Sequence, residues 1–462
     1  MPPIQRLFVL MLENRSYDNI FGWSDLQGWT PDGTPTRADG LLGKPPIVNV
    51  DGNGHAYSVG QGAPFRLNFD PGHEFSDVLA QMCGAGVVPS LSCVRDDFTL
   101  PGGFYKPLAT APDKLGFAYD LGAHQFDVAS ALRCFTPDQL PVLNFLAGQF
   151  AVCDRWFASM PGPTWPNRFF ALAGTSWGLD HSPSGVQTAE ANLFDGARFG
   201  NGSDSLFTRI TPQEWLVAHG DVPQAWSIKG IERNYARFLT HQDLITKLQV
   251  GQLDANFIFI EPTYDPFGNF RNGESMHPCG DVRAGEALVA SVYNALVASR
   301  YWEESMLLIV FDEHGGFFDH VIPDDTVVPP AQRLTPTAPT PLTQRGFRFD
   351  KYGFRVPAIV VSPYVKAGTV DHTFYDHVAI AKTLAPIVRR QNPPLLATPR
   401  FAAANDVWKT LTLSQPRRAQ DIHPCPLALP YAAMPSPAGA SSRSAALFGG
   451  IDWPGRSTYG GD

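Results

Sequence analysis

The feature that most constrains the fold is an apolar run that ends abruptly in acidic residues. Residues 307–311 read LLIVF and are followed at once by the polar sequence DEHGG. Such a run predicts a buried strand whose carboxyl end opens into a loop, where open α/β sheets bind their ligands. A strand with a solvated acidic turn is the plain alternative. Five donors suited to a divalent cation follow closely: Asp312, Glu313, His314, Asp319 and His320.

A second apolar run, residues 7–12, stops in the same way at Glu13 and Asn14. It predicts another buried strand, here with a carboxylate and an amide at its end. These groups suit the first ligands of a metal site in an α/β sheet. Glu13 equally fits a position at the start of a helix, so the local sequence leaves both interpretations open.

The sequence PGPTWPNRFFALAG, residues 161–174, predicts a helix that begins near Thr164. Threonine is a good N-cap, and Pro166 is favoured in the first turn. The Thr164 hydroxyl could therefore simply cap the helix. It could also act as a nucleophile, because the positive potential at a helix N-terminus suits an alkoxide that attacks phosphorus. Arg168, one turn later, could then bind a phosphoryl oxygen.

Three histidines are further candidates, each with a plain structural alternative. His73 stands at a predicted helix start, His277 lies in a loop after a predicted strand, and His377 precedes an apolar helix pattern. Apolar runs predict additional strands at residues 150–153, 224–229, 256–260 and 356–362.

Composition narrows the function classes. The net charge is −9 and no block of lysine or arginine occurs, so a nucleic-acid partner is not expected. No apolar stretch is long enough to span a membrane. The first residues show no cleavage-site pattern, so the sequence predicts no signal peptide and leaves localisation open.

The chain divides into a predicted catalytic domain, residues 1–410, and a tail rich in Pro, Ala and Ser, residues 411–462, that is expected to pack on the surface. Residues 23–120 are dominated by Gly, Pro, Asp and Asn. We expect them to form a loop-rich insertion over the active site.

Together these motifs resemble the metal-dependent phosphoesterase family that contains bacterial non-haemolytic phospholipases C and related acid phosphatases, whose members are often secreted or periplasmic. The resemblance spans residues 7 to about 385. The matching pieces are LMLENRSYDNIFG (10–22), PGPTWPNR (161–168), the isolated His277-Pro278, VFDEHGGFFDHV (310–321), and GFRVPAIVVSPY (353–364) followed by YDH (375–377).

The resemblance implies an alkaline-phosphatase-like α/β sandwich, with a central, mostly parallel sheet flanked by helices and with long loop insertions. It implies one divalent or ferric ion held by Glu13, Asn14, Thr164, Asp312 and Glu313. Thr164 would be the nucleophile, and His277 or His73 would protonate the leaving alcohol. The residues expected to bind substrate are Asn167, Arg168, His314 and His377.

One piece of the family pattern is missing. Phosphatase relatives carry a paired-histidine motif between the nucleophile and His277, and here only single histidines occur: His181, His219 and His241. The implied function is a phosphoric ester hydrolase of the phospholipase C type that forms a phosphothreonine intermediate. An acid phosphatase acting on small soluble esters is the alternative, and a catalytically silent phosphate-ester binding protein is the second alternative. The expected partner is a phosphate ester, with phospholipid as one candidate, and the oligomeric state stays open.

Overall fold

The computed structural model describes residues 3–83, 116–193, 197–231, 234–323, 347, 349, 351–389, 393–422 and 424–431. Its strands are β1 (Arg6–Leu12), β2 (Gln27–Trp29), β3 (Pro35–Arg37), β4 (Val48–Val50), β5 (Ala56–Ser58), β6 (Gly60–Gln61), β7 (Arg133–Cys134), β8 (Ala151–Cys153), β9 (Trp156–Phe157), β10 (Trp215–His219), β11 (Phe238–Thr240), β12 (Phe257–Glu261), β13 (Ser305–Phe311), β14 (Ala358–Val361), β15 (Thr369–Asp371) and β16 (Tyr375–Asp376).

The helices in the same parts of the chain are α1 (Tyr17–Phe21), α2 (Phe75–Cys83), α3 (Phe117–Ala123), α4 (Val128–Ala131), α5 (Pro141–Gln149), α6 (Thr164–Ala173), α7 (Gly185–Leu193), α8 (Leu206–Arg209), α9 (His241–Val250), α10 (Val282–Ala298), α11 (Val378–Ile387) and α12 (Pro399–Ala403). None of them is long and apolar enough to cross a bilayer.

Ten strands form one central sheet in the order β11-β10-β12-β1-β13-β14-β8-β15-β2-β3. Its core, from β11 to β13, is entirely parallel. Strand β14 runs antiparallel to both of its neighbours, and β3 runs antiparallel to β2. The predicted α/β class with a mostly parallel sheet is confirmed.

The apolar runs explain why the centre of the sheet consists of these strands. Every residue of β12 and β13, and all but the first of β1, is buried. Continuous apolar strands of this kind need helices on both faces of the sheet. Helix α6 packs against α11, while α10 packs against α5 and α9.

Three parts of the chain differ from the sequence-based expectations. Residues 224–229, predicted as a strand, instead contain a 3-10 helix, Gln224–Ser227. The short strands β10 and β15 were not predicted, because five and three residues give too little periodic pattern. Within the expected insertion, β2 and β3 extend the edge of the main sheet.

Parts of the domain predictions lie outside the described residues, namely 84–115 of the insertion and 432–462 of the tail. The described part of the tail contacts the body of the protein. The backbone N–H of Leu413 donates to the carbonyl of Tyr364, and Nη1 of Arg417 donates to the carbonyl of Gln149 at 2.6 Å.

Candidate functional site

The carboxyl ends of β1 and β13 bring two polar pairs side by side. The two strands are parallel and aligned in register to their last residues. Glu13-Asn14 and Asp312-Glu313 therefore leave the sheet at the same edge. The backbone N–H of Asn14 donates to Oδ1 of Asp312 at 3.0 Å. Asn14 has φ +54°, a left-handed conformation that asparagine adopts more readily than most residues.

Two glycines allow the loop after β13 to pack against this edge. Gly315 and Gly316 have φ values of +65° and +70°. A Cβ atom on Gly315 would lie 2.2 Å from the carbonyl oxygen of Asn14, and one on Gly316 would lie 2.6 Å from that of Gly72. The glycine pair of the sequence motif thus permits close contact with the β1 end and with the loop that carries His73.

Thr164 is the first residue of α6, and its hydroxyl faces the strand ends. Pro163 occupies the N-cap position and no side chain caps this helix. The capping interpretation of the Thr164 hydroxyl is therefore wrong. Its Oγ1 instead donates to Oδ1 of Asn14 at 3.3 Å. Nδ2 of Asn167 anchors the preceding loop by donating to the carbonyls of Met160, Gly162 and Pro163.

Glu13 and Glu313 are buried carboxylates with incomplete hydrogen bonding. Oε2 of Glu13 and Oε1 of Glu313 are buried without a hydrogen-bond partner. Burial raises the pKa of each carboxyl to about 8. The positive charge of Arg168 partly offsets the rise for Glu13, and His73 partly offsets the rise for Glu313. Asp312 raises both pKa values further. Unpaired buried carboxylate oxygens are the ligands that a hard cation prefers, so the donor set fits a metal ion.

Arg168 supports this edge from behind and does not line the cavity. It is 1% exposed, and its Nε donates to Oδ2 of Asp312 at 3.0 Å. Its Nη2 donates to the carbonyls of Met11 and Leu12. The expected contact of Arg168 with a phosphoryl oxygen does not match this position, and the same holds for the substrate contact expected of Asn167. Both residues hold parts of the site in place.

His314 and His377 are also supporting residues. Nε2 of His314 is paired with Oε1 of Gln81 at 2.6 Å, and burial lowers the pKa of this imidazole to about 3. Nε2 of His377 donates to the carbonyl of Asp312 at 2.5 Å, and Nε1 of Trp156 donates to its Nδ1. Neither imidazole lines the cavity, so the predicted substrate contacts are corrected.

Asp319 and His320 belong to a separate ion-pair network. Nε of Arg355 donates to Oδ1 of Asp319 at 2.9 Å, and its Nη2 donates to Oδ1 of Asp18 at 3.1 Å. His320 donates its backbone N–H to Oδ2 of Asp18. Donor atoms of Asp18, Asp319 and His320 lie close enough to hold an ion, but the Arg355 guanidinium already compensates their charge. The predicted five-residue donor cluster is thus divided between two places.

A cavity of about 1040 Å³ opens beside the strand ends. Among the described residues, no lysine or arginine lines it. Five of the predicted site residues do so: Glu13, Asn14, His73, Thr164 and His277. Other lining residues include the aromatic side chains Trp165, Tyr264, Phe267 and Phe270 and the carboxylates Asp70, Glu74, Asp77 and Glu190.

His73 lies between the predicted cation ligands and Asp70. Its Nδ1 donates to the carbonyl of Pro71 at 2.8 Å, and its Nε2 lies 3.4 Å from Nδ2 of Asn14. Burial opposes the charged imidazolium. The carboxylates of Asp70 and Glu313 outweigh this effect and raise the pKa of His73 to about 10.

His277 is held tightly at the cavity wall. Its ring stacks on Phe270, with a centroid distance of 3.7 Å and an interplanar angle of 13°. The backbone N–H of Cys279 donates to its Nδ1 at 3.3 Å, and Nε2 lies 3.5 Å from Oδ2 of Asp70. Nε of Arg15 donates to the carbonyl of the preceding residue, Met276.

The remaining single histidines do not supply the missing pair. Nδ1 of His181 is 3.2 Å from Asp180, that of His219 donates to the carbonyl of Asp221, and Nε2 of His241 donates to the carbonyl of Glu261. None of the three is among the described residues that line the cavity.

Sequence reasoning missed two groups of the site. Asp70 stands in a loop without periodic pattern, so nothing in the sequence set it apart from other acidic loop residues. Glu261 directly follows the predicted strand NFIFI, as Glu13 directly follows the first apolar run. This shared pattern was a signal in the sequence that could have identified Glu261. It accepts from the hydroxyl of Tyr264 at 2.6 Å and from the backbone N–H of Gln224.

Comparison with known proteins agrees with the motif resemblance. The sequence profile described as the phosphoesterase family matches residues 4–388. Non-specific phospholipase C6 of Arabidopsis thaliana is 31% identical over 447 residues, covering 93% of this chain and 76% of the relative. Phospholipase C B of Mycobacterium tuberculosis is 27% identical over 448 residues, covering 89% of this chain and 78% of the relative. A solved protein of the alkaline phosphatase superfamily from Vibrio parahaemolyticus is 13% identical with a TM-score of 0.28, covering 55% of this chain and 61% of its own.

Proposed function

Because the chain belongs to the phosphoesterase family and is a phosphoric ester hydrolase, we propose that it acts as a phospholipase C that forms a covalent phosphothreonine on Thr164. The relatives named phospholipase C support the reaction type. The observation that carries the residue assignment is the hydrogen bond from the Thr164 hydroxyl to Asn14. This contact joins the start of α6 to the strand ends, on the wall of the large cavity.

The metal ion would be held by oxygen atoms of five residues: Glu13, Asn14, Thr164, Asp312 and Glu313. The unpaired oxygens of the two buried glutamates support this assignment. A divalent or ferric ion bound there supplies Lewis-acid chemistry, lowering the pKa of the threonine hydroxyl and polarising the phosphoryl group. Arg168 and His377 hold Asp312 through its carboxylate and its backbone carbonyl, which fixes the carboxylate beside Asn14.

In the proposed reaction, Oγ1 of Thr164 loses its proton to water and attacks phosphorus in line. The bond from phosphorus to the glycerol oxygen breaks, and a histidine gives a proton to that oxygen. Water then attacks the phosphothreonine, which releases the phosphorylated head group and restores the hydroxyl. Positioning and charge compensation supply most of the acceleration in such transfers.

His73 and His277 are the two candidates for the proton donor. Nδ1 of His277 accepts an N–H from Cys279, so the nitrogen of this ring that can donate is Nε2. Nδ1 of His73 donates to the carbonyl of Pro71, and its Nε2 accepts from Nδ2 of Asn14 at 3.4 Å. In the proposed reaction one of the two rings gives the proton to the leaving oxygen and the other faces the phosphoryl group.

The cavity favours a diester over a small monoester. A phosphomonoester is dianionic near neutral pH, and no lysine or arginine lines the described part of the cavity to compensate a second charge. A diester carries one negative charge. The aromatic wall formed by Trp165, Tyr264 and Phe267 also suits the apolar part of a lipid.

The proposal is tested by Thr164→Ala, with Thr188→Ala as a matched control from the same cavity wall. Turnover of p-nitrophenyl phosphorylcholine and of phosphatidylcholine vesicles should vanish in the first variant and persist in the second. Brief acid quench of wild type during turnover should yield a phosphorylated peptide containing Thr164 in mass spectrometry. Retained activity in Thr164→Ala would remove the nucleophile assignment. Faster turnover of p-nitrophenyl phosphate than of both diesters would favour the phosphatase alternative.

A further inference from the structure

Three metal-donor side chains meet where α2 packs against α3, away from the strand ends. Asp77 lies in the first turn of α2, Asp120 lies in α3, and His124 directly follows α3. Asp120 and His124 are four residues apart, which places them on the same side of the helix. One ligand atom from each of the three residues lies within 4.8 Å of the other two. Two carboxylates and an imidazole therefore converge on one point.

The separations between these atoms suit ligands of one ion better than hydrogen-bonded partners. Nε2 of His124 lies 3.4 Å from Oδ1 of Asp77 and 3.7 Å from Oδ1 of Asp120. A charge-assisted hydrogen bond would shorten such a distance to about 2.8 Å. By contrast, ligands at about 2.1 Å from a tetrahedral Zn²⁺ ion lie about 3.4 Å from one another. The three atoms thus have the spacing of ligands that share an ion.

Each carboxylate is held in place by its other oxygen. The backbone N–H of Glu74 donates to Oδ2 of Asp77 at 3.1 Å, and Nε2 of Gln81 donates to Oδ2 of Asp120 at 2.8 Å. The side chain of Asp120 is 5% exposed, and its Oδ1 accepts no hydrogen bond from the residues that the structure describes. Outer contacts of this kind orient the ligands of metal sites. The oxygen that faces His124 is left for a cation.

The surroundings supply no other positive charge for the two carboxylates. In the described parts of the chain, His124 is the ion-pair partner of both, and no lysine or arginine pairs with either. The ring of His124 is oriented by stacking on Phe126, with a centroid distance of 5.3 Å and an interplanar angle of 15°. Two neighbouring carboxylates repel each other, so a bound cation would relieve an unfavourable interaction.

A glycine makes room for this arrangement. A Cβ atom on Gly72 would lie 2.9 Å from Cγ of Asp77 and 3.0 Å from Oδ2 of Asp120. Side chains larger than glycine would therefore push the two carboxylates out of position. The loop before α2 and the two helices thus fit together around the donor atoms.

We propose that Asp77, Asp120 and His124 bind a divalent transition-metal ion such as Zn²⁺, at a site separate from the strand-end donors. An imidazole nitrogen beside carboxylate oxygens suits Zn²⁺ better than Mg²⁺ or Ca²⁺, which prefer oxygen ligands alone. The ion joins α2 to α3 and compensates both carboxylates, and its fourth position is left for water. Asp77 also lies on the wall of the large cavity, whereas Asp120 and His124 do not line it. The site does not depend on the proposed reaction.

The test counts Zn²⁺ bound to the chelator-treated full-length protein, by equilibrium dialysis at micromolar free Zn²⁺ followed by elemental analysis. His124→Ala should bind one Zn²⁺ fewer per chain than wild type. Loss of an outer contact weakens a metal site about 10–100-fold, so loss of the imidazole itself should weaken this one at least about 100-fold. Asp77→Asn should have the same effect, and it replaces His124→Ala if that variant does not fold.

His55→Ala is the matched control. Nδ1 of His55 lies 3.1 Å from Oδ2 of Asp51, which is also four residues away, but the described structure pairs this ring with one carboxylate only. The control should keep the wild-type number of bound ions. An unchanged number in His124→Ala and Asp77→Asn, or an equal loss in His55→Ala, would overturn the proposed site. Loss of zinc in Glu13→Gln alone would support the strand-end site and refute this one.

Discussion

Replacing Glu13 by glutamine should change how the stability of the metal-free protein depends on pH. The Glu13 carboxyl is 2% exposed, and one of its oxygens has no partner. Burial raises its pKa from 4.5 to about 8, partly offset by Arg168. Between these two pH values the folded protein holds a proton that the unfolded chain has released. The protonated Glu13 carboxyl therefore makes its full contribution to the stability of the folded protein below pH 4.5, and this contribution is lost as the pH rises through about 8.

The size of the expected change in stability follows from the pKa shift of Glu13. Each pKa unit corresponds to about 1.4 kcal/mol, so the rise from 4.5 to about 8 sets an upper limit of about 5 kcal/mol for Glu13. Glu313 has a shift of the same size. Because both carboxylates have Asp312 as a neighbour, their contributions are not additive. Glutamine resembles the protonated carboxyl in shape and carries no charge to desolvate.

The assay is urea unfolding of chelated protein from pH 5 to pH 8.5. Wild type should lose several kcal/mol of unfolding free energy over this range, and Glu13→Gln should lose markedly less. At pH 8 the metal-free variant should thus be more stable than wild type. Added Mn²⁺, Zn²⁺ or Fe³⁺ should stabilise wild type increasingly as pH rises, because the ion replaces protons. The variant should lose this response.

Glu286 offers a matched control away from the cavity. It is buried, its pKa is raised by burial to about 7, and it accepts from the backbone N–H groups of Val142 and Leu143 at the start of α5. Glu286→Gln should also flatten the pH profile but keep the full response to metal. If Glu13→Gln kept both the wild-type profile and the metal response, the reasoning about the strand-end carboxylates would be refuted.

Two further predictions test the reassigned residues. Arg355→Met should cost about 3–5 kcal/mol in urea unfolding, because it leaves Asp319 buried without its guanidinium partner and leaves Asp18 paired with His320 alone. The cost in unfolding free energy should be smaller at pH 5 than at pH 8, since burial already raises the pKa of Asp319 to about 6. The metal content measured by elemental analysis should not change. A loss of bound metal would mean that Asp319 belongs to the cation site after all. His377→Phe should cost about 2–4 kcal/mol, because the indole N–H of Trp156 and the carbonyl of Asp312 lose their partner. In the His377→Phe variant, metal affinity measured by isothermal titration should fall, while KM at saturating metal stays unchanged. A raised KM would show that His377 contacts the substrate after all.

The parts of the fold that the sequence predicted are those in which a long apolar run ends at a polar residue. Strands β1, β12 and β13 have this pattern, and their parallel arrangement follows from the intervening helices. Short strands such as β15 are defined by their neighbours in the sheet, and three residues carry no period of their own. The stretch 224–229 was predicted as a strand from its apolar residues, yet Glu261 accepts the N–H groups of Gln224 and Ala225 and stabilises a helical turn there.

The candidate site shows the same limit at the level of side chains. Sequence position brought Asp312 and Asp319 into one donor cluster, but side-chain direction and long-range partners decide what each can contact. Asp312 follows a strand directly and meets Asn14 and Arg168, whereas Asp319 lies seven residues later and pairs with Arg355. A family resemblance does not resolve this difference, because residues within one motif can serve different partners.

The distinction between lining and supporting residues follows from how Asp312 is held. Its Oδ1 accepts two backbone N–H groups, those of Asn14 and Glu313, and its Oδ2 accepts Nε of Arg168. Three donors fix the position of this carboxylate, while Glu13 and Glu313 each keep an unpaired oxygen. In the metal site that we propose, the buried positive charge of Arg168 holds Asp312 in place before the cation binds, so the ion can bind without rearrangement of the sheet edge. This role accounts for the position of Arg168 behind the strand-end carboxylates, where it does not line the cavity.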